Sequence, residues 1–179
     1  RHFKEMADYY ILECRFMMKD YTYVTDNGER MYNAVPDERK PHLARIISES
    51  WLVQDEVDKA REYYDLGVGG AEANTRSDWF YSGSLLYALD DYEGAVASYS
   101  KMTERTDSLG QIADYHLGYS YIQIKNKVAA LGAFKDAAQL DHDLQIKEDA
   151  FFNWAKLAFD LNEDTSVFND YIKTYPAKE

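Results

Sequence analysis

The chain has 179 residues, of which 32 are acidic and 20 basic, for a formal net charge of -12 at neutral pH. Phosphate backbones are captured by lysine and arginine, so a surface this acidic argues against nucleic acid as a partner. No apolar run approaches bilayer-spanning length, which argues against direct membrane insertion of this segment, and the single cysteine, Cys14, leaves no disulfide framework.

The first expected helix pair covers residues 5–36. Leu12, Tyr21, Val24 and Pro36 fall in the register of later units, but Gly28 stands where those units carry an aromatic. Asn27-Gly28 is alternatively a tight turn. Cys14 shares an apolar helical stripe with Ile11 and Met18, which predicts a core thiol. The second unit, 41–74, keeps Trp51, Ala60 and Tyr64 and carries Ser48 where later units have glycine. Gly67, Gly69 and Gly70 mark a loose connection before Thr75, either a helix cap at Gly67 or a small hinge. The register crosses it intact, so residues 1–179 read as one array.

The units at 76–109 and 111–145 carry the clearest pattern. Trp79, Gly83, Leu86, Tyr92, Ala95 and Tyr99 are answered by Gly118, Tyr121, Ala130, Phe134 and Ala137. Gly83 and Gly118, Ala95 and Ala130, and Tyr99 and Phe134 are each 35 positions apart. The apolar spacing within each unit is helical. The polar break at Asp90-Asp91 is short enough to force two antiparallel helices. Glycine is expected at 83 and 118 because the two helices cross there at close range, with Tyr99 and Phe134 filling the space beyond. The last unit, 148–179, offers Ala155, Ala158, Val167 and Tyr171 two residues late, a lag attributed to a longer loop around Asp141-His142-Asp143. The chain begins at Arg1 and stops just after Tyr175-Pro176, and it reads as a segment of a longer repeat protein. A period in this range builds solenoids, whose units bury their apolar faces only against neighbours.

These residues resemble the tetratricopeptide repeat, Trp-x-x-Leu-Gly-x-x-Tyr followed by Ala-x-x-x-Phe and a further alanine. In 76–109, Ser82 replaces the leucine and Met102 the last alanine. In 111–145, Asp114 replaces the tryptophan and Lys127 the mid-repeat tyrosine. The resemblance implies an all-α, right-handed superhelix of about five helix pairs that binds a protein or peptide and has no catalytic activity or cofactor. It also implies a concave groove lined by the first helix of each pair. The register projects Tyr9 and Phe16, Arg45 and Leu52, Phe80 and Tyr87, Tyr115 and Ile122, and Phe152 and Phe159 into it, with Glu13, Glu49, Ser84, Tyr119 and Lys156 between. Phe80, Tyr87, Tyr115, Tyr119, Phe152 and Phe159 are the candidate ligand-binding residues, since grooves use aromatics with occasional polar atoms. The alternative is that these rings pack between neighbouring helices. Glu13, Glu49 and Ser84 occupy positions where binders of acidic tails carry asparagine or a cation. A glycan-binding module of a cell-envelope assembly is the second functional reading, because exposed tyrosines and tryptophans also stack on sugars. A purely structural segment is the third. Stretches such as Tyr115-His116-Leu117-Gly118-Tyr119 and Ala150-Phe151-Phe152-Asn153-Trp154 resemble large exported repeat proteins of Bacteroidetes, which implies a periplasmic or envelope location.

Catalytic and metal patterns are not found in the sequence. His2, His42, His116 and His142 are scattered without the helical pairing that holds zinc. Asp141-His142-Asp143 reads as a solvated loop. Gly67-Val68-Gly69-Gly70 lacks the lysine and hydroxyl residue of a phosphate loop. The eight acids between 139 and 170 read as a solvated end or as a site for a basic partner.

Overall fold

A computed structural model describes residues 2–68 and 75–176, which hold ten α-helices and no strand. Gly69 and Gly70 of the expected loose connection lie outside the described residues. The chain separates into two compact units, Arg1–Asn74 and Thr75–Glu179. The first contains α1 (His2–Met17), α2 (Tyr21–Ala34), a 3-10 turn (Asp37–Arg39), α3 (Lys40–Val53) and α4 (Val57–Val68). The second contains α5 (Arg76–Ala88), α6 (Tyr92–Tyr99), α7 (Ser108–Gln123), α8 (Lys127–Ala138), α9 (Leu144–Asn162) and α10 (Ser166–Thr174). Among the described residues, none of the helices is long and apolar enough to cross a membrane.

Each pair is closed at a residue with left-handed backbone. Lys19, Asp55, Asp90, Lys125 and Glu163 all adopt left-handed backbone, with φ between 55° and 62°. After α7, Lys125 N–H donates to Ile122 O at 3.0 Å and Asn126 N–H to Tyr121 O at 2.8 Å. This double bond satisfies carbonyls that a helix end leaves unpaired. The same two spacings recur after α1, α3 and α5, and Asp20, Asp91 and Asn126 then cap the next helix through their side chains. No glycine marks these turns, so the sequence conceals them. A left-handed residue with a side chain costs about 1–2 kcal/mol, part of which glycine returns as unfolded-chain entropy. Lys125→Gly should therefore raise stability by about 0.5–1 kcal/mol in urea melts, whereas Lys125→Val should lower it.

The closure after α9 differs: Glu163 N–H reaches Phe159 O and Asp164 N–H reaches Ala158 O, one residue further back than elsewhere. The lag of the last unit is thus not a loop effect alone. From Phe134 to the cap Asp143 is one residue longer than from Tyr99 to the cap Asp107. The second residue of lag falls inside α9, at 19 residues the longest described helix.

In the first unit, Tyr9, Leu12, Val24, Met31, Leu43, Ile46 and Ile47 form the core. Asn27 and Gly28 lie inside α2, so no turn forms there. A methyl group on Gly28 would come within 2.8 Å of Ile47, so glycine lets α3 press onto α2. Leu12, fully buried, stands on the first helix where later pairs have glycine. Ser48, also at that position, donates its buried hydroxyl to Ala60 O across the α3–α4 pair. Cys14 is exposed, contrary to the core expectation. The buried stripe of α1 runs through Tyr9 and Leu12, with Phe16 packed against that core. Ile11 and Met18 are 46% and 73% exposed on the other side.

In the second unit, Ala95, Ala130, Tyr99 and Phe134 are all fully buried. A methyl group on Gly83 would lie 2.7 Å from the Tyr99 ring, and one on Gly118 2.7 Å from Phe134. One side chain near the start of α5 and one near the start of α7 tie successive pairs. Arg76 donates to Thr103 O at 2.9 Å and Glu104 O at 3.2 Å and pairs with Asp107 at 2.6 Å. Gln111, 35 positions later and fully buried, donates to Leu140 O at 2.8 Å and Asp143 O at 3.1 Å and accepts from Asp143 N–H at 2.7 Å. Both tether the loop that leads into the following pair, which sets α5, α7 and α9 side by side.

Candidate functional site

The six predicted groove residues lie on α5, α7 and α9. Phe80 and Tyr87 sit two turns apart on α5, Tyr115 and Tyr119 one turn apart on α7, and Phe152 and Phe159 two turns apart on α9. The first four are half-buried, while Phe152 and Phe159 are 43% and 46% exposed.

The structure sorts them into two groups. Phe80 leans on Tyr99 with ring centres 6.1 Å apart, and Tyr87 stacks flat on His116 at 4.2 Å. Tyr115 meets Tyr119 edge-on at 5.0 Å, and both pack edge-on against Phe134. Tyr115 also lies 6.1 Å from His116, so Tyr87, Tyr115 and Tyr119 are linked through that imidazole, while Phe80 joins them through the fully buried Tyr99. Phe152 and Phe159 instead pack with Phe168, and Phe152 also with Tyr171, both on α10.

Two polar networks hold the patch. Asp149 on α9 accepts from Tyr115 at 2.9 Å and Tyr119 at 2.6 Å, and Asn153 donates to the same carboxylate oxygen at 3.0 Å. All three bonds fall on Oδ2. Burial pushes both tyrosine hydroxyls above their ordinary range, reinforced by the carboxylate beside them. The hydroxyls therefore stay protonated and act as fixed donors that staple α7 to α9.

The second network joins α5, α6 and α7. Ser84 donates to Phe80 O at 2.9 Å and lies 2.9 Å from the Tyr99 hydroxyl, which lies 2.8 Å from Nδ1 of His116. With the only proton of Ser84 given to Phe80, Tyr99 must donate to Ser84, and Nδ1 of His116 must donate to Tyr99. His116 then carries its lone pair on Nε2. Burial lowers its pKa to about 4, so the imidazole is neutral at physiological pH. No local pattern signals this role, because His116 lacks a partner at helical spacing and meets Tyr99 only through the packing of α6 on α7.

The first unit presents a more charged version of the same register. Tyr9 donates to Glu13, His42 lies 3.0 Å from Glu13, and Arg45 pairs with Glu49 at 3.1 Å. Tyr9 itself is buried, and its hydroxyl is pushed up to about 12, mainly by burial and then by Glu13. Among the described residues, no group of three or more histidine, cysteine or acidic side chains is placed to hold a metal ion.

The arrangement offers ring edges, carbonyl and carboxylate acceptors, and a neutral imidazole on a stiff helical support. Against known proteins, no family model matches the chain, and no curated protein matches it.

Proposed function

We propose that this chain is a non-catalytic scaffold of the tetratricopeptide type that captures a protein or peptide partner on the face of α5, α7 and α9. The observation that carries this reading is the run of half-buried rings Tyr87, Tyr115 and Tyr119 around His116, with Phe80 beside Tyr99, pre-ordered by Asp149 and by the Ser84–Tyr99–His116 chain. A face held in place before binding loses little entropy on capture. Half-buried aromatics with a polar tip are the residue type that dominates binding energy at interfaces. The ring geometry favours a peptide over a glycan: Tyr87 has one face covered by His116, and Tyr115 and Tyr119 meet edge-on. Sugar stacking needs open ring faces. The resemblance to exported Bacteroidetes repeat proteins supports a place in the cell envelope.

The test is to pan displayed peptides on the purified chain and measure the affinity of an enriched sequence by fluorescence anisotropy. Tyr87→Ala and Tyr115→Ala should each cost about 2 kcal/mol, roughly thirtyfold in Kd. Val128→Ser, on the 74% exposed outer side of α8, should leave affinity unchanged. Failure to enrich any peptide, or full affinity in both folded tyrosine variants, would remove this reading.

A further inference from the structure

Asp149, the residue that staples Tyr115 and Tyr119, uses only one of its two carboxylate oxygens. Oδ2 takes all three side-chain bonds, from Tyr115, Tyr119 and Asn153. Oδ1 takes none and is open to solvent. The three donors are neutral groups. Among the described residues, no lysine, arginine or histidine pairs with Asp149. Lys156, the cation two turns further along α9, is exposed and makes no ion pair of its own. A half-buried carboxylate without a counter-charge is a favourable seat for a cation, because charge-assisted bonds are stronger than neutral ones.

A second open acceptor belongs to the same group of side chains. Nδ1 of His116 donates to Tyr99, and Nε2 has no partner and is open to solvent. Burial keeps this imidazole neutral, so Nε2 offers a lone pair rather than a proton. The protons of Tyr115 and Tyr119 are committed to Asp149 and that of Tyr99 to Ser84. Asp149 Oδ1 and His116 Nε2 therefore both call for N–H donors from outside. Tyr115 bonds to Asp149, and the exposed ring of Phe152 stands three positions along α9, on the same side of the helix. A cation gains from ring faces as well as from a carboxylate, and a guanidinium can lie on a ring while its edge donates to an oxygen. The net charge of -12 draws a basic segment toward the chain.

We propose that the peptide captured on this face carries an arginine or lysine whose charged head seats on Oδ1 of Asp149, beside Tyr115 and Phe152. This assignment rests on the peptide-capture reading above and adds the chemistry of the ligand to it.

Peptides panned on the purified chain at pH 7.5 should converge on a basic residue at one fixed position. In the tightest of them, that residue is exchanged for a neutral isostere, citrulline for arginine or norleucine for lysine. Affinity for the unaltered chain should fall about tenfold or more. Asp149→Asn retains an acceptor oxygen for Tyr115 and Tyr119 and should weaken the charged peptide by a similar factor. The neutral peptide on Asp149→Asn should bind no worse than either single change allows, since both remove the same interaction. The exchange in the peptide needs only the unaltered chain, so it decides the matter even where Asp149→Asn is unstable. Enriched peptides without a basic residue, full affinity of the neutral peptide, or two losses that simply multiply would overturn the basic-residue assignment and leave peptide capture standing. Enrichment of no peptide at all would remove both.

Discussion

Phe134→Ala should lower stability by about 3–5 kcal/mol, and the same substitution should reverse the sign of a second one. Phe134 is fully buried with its ring against Gly118, so truncation leaves a cavity that rigid helices on both sides cannot close. In the native chain, Gly118→Ala forces a methyl group to within 2.7 Å of that ring and should cost about 1–3 kcal/mol. With the ring gone, the methyl has room. Only the helix preference for alanine over glycine then remains, so Gly118→Ala should stabilise the Phe134→Ala chain by up to about 1 kcal/mol. Urea melts of the two single variants and the double variant measure this coupling directly. Simple additivity would mean that the glycine serves something other than this contact.

Between pH 6.5 and 4, the native chain should show a nearly flat stability profile that conceals two opposed contributions. Asp114 has its pKa raised from 3.8 to about 6, chiefly by burial. The folded state therefore takes up this proton before the unfolded state does, and stability rises as pH falls through the window. His116 has its pKa lowered from 6.5 to about 4 by burial. Here the unfolded state protonates first, and stability present above pH 6.5 is lost on acidification. At about 1.4 kcal/mol per unit, each contribution is on the order of 3 kcal/mol. Asp107, held low by Arg76 and the N–H of Gly110, acts below this window. Asp114→Asn should leave a chain that loses stability steadily from pH 6.5 to 4, and His116→Gln one that gains it. Urea midpoints across the window decide the matter. Parallel profiles for all three proteins would show that neither group is buried as described.

The patch residues illustrate how much of the site the sequence carried. Phe80, Tyr87, Tyr115 and Tyr119 were legible as a set because helical period places residues of one helix on one face. Their partners were not legible. Asp149 stands 34 positions from Tyr115 and His116 stands 17 from Tyr99. Pairings of that kind depend on how adjacent helices are rotated and shifted, which no spacing within one helix encodes. Phe152 and Phe159 share that register, yet both pack against Phe168 of α10, and Phe152 also against Tyr171.

By itself, the 35-residue recurrence of small and aromatic positions determined that residues 76–145 are made of helix pairs and which small and aromatic residues meet where those helices cross. Those properties follow from side-chain size at a crossing and from local periodicity, both written in consecutive residues. Only the tertiary structure decided that Lys19, Asp55, Asp90, Lys125 and Glu163 would bear left-handed turns, that Cys14 would face solvent, and that Arg76 and Gln111 would tether the following loops. A side chain with several permitted surroundings takes the one that its neighbours leave open. For these residues the neighbours are contributed by other helices and loops, and their own sequence context is silent.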